Sequence, residues 1–248
     1  MRLKTGLNLS KNYSYNFSLP KRRRKNIKFI ILHYTGMKKE ASALKRLCDK
    51  KSKVSAHYFV KENGKVVNLV PDLYEAWHAG KSNWKNFKSI NKYSIGIEIS
   101  NPGHKNGYKN FTSKQISSIK KLLKFLIRKY DLKYHNILGH SDIAPSRKKD
   151  PGEKFPWSLL AKQKLCLWHN LIEKKIKTYR NIRLSSLERN FFFINLKRIG
   201  YSKIQGMNSQ KSNKYIIKAF QRRFRQELVN GKIDKECYLI SDNILQKI

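Results

Sequence analysis

Cysteine is scarce in this 248-residue chain: Cys48, Cys166 and Cys237 are odd in number, far apart and free of any CxxC pair. That excludes a disulfide framework and a zinc-ribbon spacing, and leaves free thiols. Acidic residues are also few, 16 Asp and Glu against 55 Lys and Arg, for a formal net charge of +39. No window approaches the roughly 18 apolar residues of a membrane-spanning helix, so no transmembrane segment is expected. The stretch Met1 to Asn26 has charges but no apolar run of roughly 7–15 residues, the core of a secretion signal. The cytoplasm is therefore the default expectation, with the periplasm or cell envelope as the alternative. Repeats and low-complexity tracts are absent, and nothing in the sequence signals an oligomeric state.

What is present is enough for a buried core: 40% of residues are hydrophobic and 12% aromatic. The charge admits two readings, a polyanionic partner or the lysine-, asparagine- and isoleucine-rich composition of an AT-rich genome. Because the lysines are spread along the whole chain, the charge speaks to solubility and non-specific binding more than to function.

Ile27–Leu32 is a continuous apolar, β-branched run and reads as a buried strand ending at His33. Lys39–Lys50 suits a short helix. His57–Val60 and Lys65–Val70 flank the turn Glu62-Asn63-Gly64, a hairpin signal. Ser94–Ser100 is a second buried strand, with Glu98 among isoleucines. From Thr112 the period changes: Ile116, Ile119, Leu122, Leu123, Leu126, Ile127 and Tyr130 define one helix face, opened by a Thr112/Gln115 capping box. His135–His140 reads as a short strand delivering His140 to a loop. Interspersed strands and helices make this an α/β domain. After a basic helical stretch near Lys174–Arg183, a helix ends at Gly200. The next helix has Ile216, Ile217, Phe220, Phe224 and Leu228 on one face, and a last short helix is expected at about Ser241 to Ile248. Together they form a small three-helix domain.

His33 and His140 each fall at the end of a predicted buried strand, where α/β sheets place their sites. Two imidazoles and one carboxylate make a catalytic zinc set with an open fourth position. In GHSDIAPSRKKDPGEKFPW (Gly139 to Trp157) two carboxylates compete for that role, Asp142 and Asp150. Strand alternation alone would allow Asp142 to share the face of His140. Glu98 lies on the same strand face as Gly96, which leaves room beside it; a carboxylate buried there without a partner is costly. A general base with raised proton affinity fits that position. His57, His104, His135 and His169 read as structural.

Five blocks, FIILHYTGM, VSAHYFV, AWHAGKSNW, SIGIEISNPG and the GHSDIAP loop, occur in order between Asn16 and Leu165. In them the chain resembles the zinc-dependent N-acetylmuramoyl-L-alanine amidases, whose fold is shared with phage-type lytic amidases and peptidoglycan recognition proteins. The resemblance implies an α/β fold with a mixed central sheet flanked by helices, and one Zn2+ per chain bound by His33, His140 and Asp150. It implies Glu98 as the general base, Lys148 as the group stabilising the oxyanion, and His78, Ala79 and Gly80 at the substrate groove. The bond cut would join N-acetylmuramic acid to L-alanine, in peptidoglycan or in anhydro-muropeptides. LKRIGY, AFQRRFRQ and VNGKIDKEC resemble a peptidoglycan-binding three-helix domain, which gives a catalytic domain over 16–170 and a helical one over 184–248. A muropeptide-binding protein that does not cut is one alternative, although no ligand position is missing. Nucleic-acid binding, suggested by KRRRK and the charge, is the other, and no specific nucleic acid is expected as a partner.

Overall fold

The computed structural model describes residues 9–203 and 206–248; the first eight residues of the stretch read for an export signal lie outside them. The chain runs β1 (Leu9–Lys11), β2 (Phe17–Ser18), β3 (Phe29–Tyr34), α1 (Glu40–Cys48), β4 (Tyr58–Val60), β5 (Val66–Asn68) and β6 (Glu75–Ala76). It continues through β7 (Asn83–Trp84), β8 (Phe87–Lys88), β9 (Ser94–Ile99), α2 (Ser113–Tyr130), β10 (Ile137–Gly139) and α3 (His140–Ile143). The helices α4 (Trp157–Ala161), α5 (Glu173–Lys177), α6 (Ser186–Ile199), α7 (Ser209–Phe224) and α8 (Lys235–Leu245) complete it.

Six strands form one mixed sheet in the order β1-β5-β4-β9-β3-β10. Only β4 and β5 are antiparallel, joined through Gly64 at φ +82°; the other pairs are parallel. β3 and β9 read as nearly unbroken apolar runs because both of their faces are covered. On one face Ile30, Leu32, Ile95, Ile97 and Ile99 pack against Ile119, Leu122, Leu123 and Leu126 of α2. The expected capping box opens that helix, with Thr112 accepting the Gln115 amide and Gln115 accepting the Thr112 amide.

On the opposite face the β3–β9 register pairs Ile31 with Gly96 and His33 with Glu98. Farther along it, Phe29, Ile31, Leu138 and Ile143 join Phe192, Leu196, Phe220, Phe224 and Ile240 of α6 to α8 in one continuous cluster. The three C-terminal helices thus share a core with the sheet. α6 ends before Gly200, at φ +143°, where a Cβ would lie 2.3 Å from Trp84. The last helix departs from expectation: α8 starts at Lys235 because the Asp234 side chain accepts the Cys237 amide, a cap hidden in IDKEC. No helix among the described residues is long and apolar enough to cross a membrane.

Candidate metal centre and active site

His33 is the penultimate residue of β3, His140 heads α3, and Asp150 lies in the loop beyond it; all three are buried. The loop doubles back because the Ser141 amide donates to the Asp150 carbonyl at 2.8 Å. Gly139 allows that return, since a Cβ there would lie 2.8 Å from Pro151. Tyr108 fastens the next peptide, its hydroxyl donating to the Pro151 carbonyl at 2.7 Å.

The hydrogen bonds behind the two imidazoles settle their tautomers. The Ala79 carbonyl can only accept, so His140 Nε2 carries the proton donated to it at 3.1 Å. Ser94 donates its hydroxyl proton to the Ile90 carbonyl at 2.7 Å, so its Oγ accepts from His78 Nε2 at 3.2 Å. His78 Nδ1 is then an acceptor and takes the Nε2 proton of His33 at 3.0 Å. Both Nδ1 atoms are left as bare lone pairs, 2.8 Å apart, and Asp150 Oδ2 lies 3.1 and 3.0 Å from them.

Three acceptors facing one point with no proton to share form a group that could hold a metal ion. A tetrahedral shell with bonds of about 2.0–2.1 Å has edges of roughly 3.3 Å, close to this triangle, and two imidazoles with one carboxylate are a zinc donor set. The ionisation states agree. Burial lowers His33 to about 4, and the His140 ring beside it acts in the same direction, so the ring stays neutral as a ligand must. Burial opposes ionisation of Asp150, but the two imidazoles of His140 and His33 beside it outweigh burial, and the carboxyl lies well below its ordinary range.

Glu98 stands beside His33 in the strand register, with one carboxylate oxygen buried and without a hydrogen-bond partner. Burial raises it to about 8; Asp150 pushes it the same way and Lys148 opposes. Glu98, Lys148, Tyr34, Trp77, Arg46 and His104 are among the residues lining a cleft of about 420 Å³ over the triad.

His78, Ala79 and Gly80 were expected along the substrate groove. His78 does reach the cleft, but both ring nitrogens are occupied and it stands directly behind His33. Ala79 and Gly80 are not among the cleft-lining residues; the Ala79 carbonyl anchors His140 and also accepts from Arg147. Asn91 holds this stretch, accepting the His78 and Ala79 amides at 3.1 and 2.7 Å. Asp142, the rival carboxylate, faces away from the triad into the C-terminal helices: its oxygens accept from Gly139, Tyr201 and Arg223. His104, read as structural, lies in the cleft wall between Tyr34 and Glu153. Nothing in the sequence marks the relay through Ser94 or the hold of Asn91, because each is an ordinary polar residue whose partner lies well away along the chain.

The sequence profile of the family described as N-acetylmuramoyl-L-alanine amidase matches residues 23–153. The chain is 35% identical over 233 residues to the N-acetylmuramoyl-L-alanine amidase AmiD of Escherichia coli K12, covering 89% of this chain and 83% of that protein. It is 37% identical over 105 residues to the 1,6-anhydro-N-acetylmuramyl-L-alanine amidase AmpD of Salmonella typhimurium, covering 42% of this chain and 54% of that protein. Among solved structures it matches E. coli AmiD in complex with the substrate anhydro-N-acetylmuramic acid-L-Ala-D-gamma-Glu-L-Lys. That match has a TM-score of 0.78 at 34% identity, covering 93% of this chain and 92% of that one. It also matches Pseudomonas aeruginosa AmpDh3 in complex with anhydromuramic pentapeptide, with a TM-score of 0.78 at 29% identity over 94% and 96% of the two chains. By sequence and by fold, the chain belongs to the N-acetylmuramoyl-L-alanine amidase family.

Proposed function

We propose that the chain is a zinc amidase that hydrolyses the bond between the lactyl group of N-acetylmuramic acid and the L-alanine of the stem peptide. The substrate class is the anhydro-muropeptide, the ligand in the two matched complexes. One observation carries the chemistry: bare lone pairs of His33, His140 and Asp150 converge beside the unpartnered oxygen of Glu98. Zinc held by His33, His140 and Asp150 would supply Lewis-acid chemistry at the scissile carbonyl and at water. His33 and His140 are held as neutral donors by their Nε2 partners, and Asp150 supplies the negative charge. Glu98, with one carboxylate oxygen free of hydrogen bonds, accepts a proton from the attacking water and returns it to the leaving amine. Lys148, at the cleft wall, stabilises the negative oxygen of the tetrahedral intermediate. With every ligand position filled, cleavage is favoured over binding alone.

The helices over 184–248 we assign to peptidoglycan binding, on the resemblance of their motifs. Cytoplasmic placement, the expectation from the N-terminal stretch, is tested by fractionation of cells making the protein.

The function itself is tested by incubating the zinc-loaded protein with a soluble anhydro-muropeptide and, separately, with intact sacculi, followed by mass spectrometry. Release of a free peptide beginning with L-alanine and of an intact sugar is expected from the soluble substrate. Products of any other bond, or none from either substrate, would refute the proposal.

A further inference from the structure

The last turn of α7 carries Arg222 and Arg223 side by side, and both reach toward one segment of the catalytic domain. Arg223, 2% exposed, donates from Nη1 to Asp142 Oδ2 and from Nη2 to the Ile137 carbonyl, each at 2.8 Å. Its guanidinium carbon lies 4.2 Å from the ring centroid of Trp157, which places the unpartnered Nε against an aromatic face. Arg222 Nε is 4.0 Å from Glu153, and Gln226, just beyond the helix, donates to the Phe155 carbonyl at 2.7 Å. From the other side, the Tyr201 hydroxyl donates to Asp142 Oδ1 at 2.7 Å.

All these partners of α7 fall between Ile137 and Trp157, the segment that supplies His140 and Asp150. Asp142 is two residues past His140 in the four-residue α3. One isolated turn does not hold its own shape. Arg223 joins it rigidly to the start of β10, because a planar fork reaches the Asp142 carboxylate and the Ile137 carbonyl together, which a lysine cannot do.

We propose that Arg223 is a positioning residue of the metal centre, setting the angle of α3 and with it the placement of His140 and Asp150. The C-terminal helices then complete the catalytic domain as well as serving any wall-binding role. Residues of the AFQRRFRQ motif accordingly face inward: Phe220, Arg223 and Phe224 are all buried. The inference rests on the reading of His33, His140 and Asp150 as ligands.

The test measures zinc affinity, by competition with a chelating dye, for the full chain and two variants, together with melting of each metal-free form. Arg223→Lys keeps the charge but loses the fork. The pair Asp142→Asn with Arg223→Met removes both charges, so that neither is left buried alone. Affinities are read well below each variant's own melting midpoint. Both variants should fold and bind zinc roughly 10-fold more weakly than the parent chain, the loss typical of a ligand's supporting partner. Parental affinity in the folded variants, with only the melting midpoint lowered, would reduce Arg223 to a structural residue and overturn the proposal. If Arg223→Lys fails to fold, the double variant decides. Failure of the unsubstituted chain to bind zinc would strike the ligand reading instead, so the two failures are distinct.

Discussion

At Glu98 a carboxyl group sits between isoleucines with one oxygen unpartnered, and burial raises its pKa to about 8 from an ordinary 4.5. In the metal-free protein the native state therefore keeps a proton that the unfolded chain has lost. Stability attributable to this group falls as pH rises through that window. Glu98→Gln removes the dependence, so its melting midpoint should gain on the parent's as pH increases from 5 to about 8; an offset that stays constant with pH would contradict the raised pKa. Behind His33, His78 accepts the Nε2 proton that fixes the tautomer. His78→Ala should weaken zinc binding by roughly 10–100-fold while the protein stays folded, measured by chelator competition. His33, His140 and Glu98 were legible in the sequence because a strand end and strand alternation place them. The choice of Asp150 over Asp142 was not, apart from resemblance. It depends on a loop that folds back through Ser141 and on an arginine 81 residues farther along the chain, which claims Asp142.

The strand β9 shows how one element serves core and site together. Ile95, Ile97 and Ile99 face α2, while Ser94, Gly96 and Glu98 face the side of the sheet that carries the candidate metal site. Gly96 has no side chain because His78 fills that space: a Cβ would stand 2.4 Å from its Cγ. Gly96→Ala should push His78 off His33, weakening zinc binding as His78→Ala does and costing about 1–3 kcal/mol of stability; unchanged affinity in a folded variant would count against the relay. Helix α2 and the β4–β5 hairpin were readable from periodicity and an Asn-Gly turn, both local signals. Helix α8 was placed too late, because its cap at Asp234 sits among polar residues where the apolar period is weak. The basic stretch near Lys174 yields only the five-residue α5, since charge without a continuing apolar face does not sustain a longer helix.

Across the whole molecule, the sheet and the C-terminal helices share one apolar cluster, so a cavity in either is felt by both. Phe220, fully buried at that junction, should cost about 3–5 kcal/mol when replaced by alanine, and the protein should still melt in a single transition. Separate melting of the two units would show that the junction is weak. The net charge of +39 explains none of this architecture, because the fold is set by apolar periodicity and the site by buried polar pairs. The proposed metal-dependent mechanism is tested most directly by zinc content and amidase turnover measured together for the parent chain, Glu98→Gln and Asp150→Ala. One zinc and active turnover are expected in the parent, and retained zinc in Glu98→Gln with turnover lowered by about 10²–10⁴-fold. Asp150→Ala should lose both zinc and activity. Undiminished turnover in Glu98→Gln, or parental zinc binding in Asp150→Ala, would contradict it.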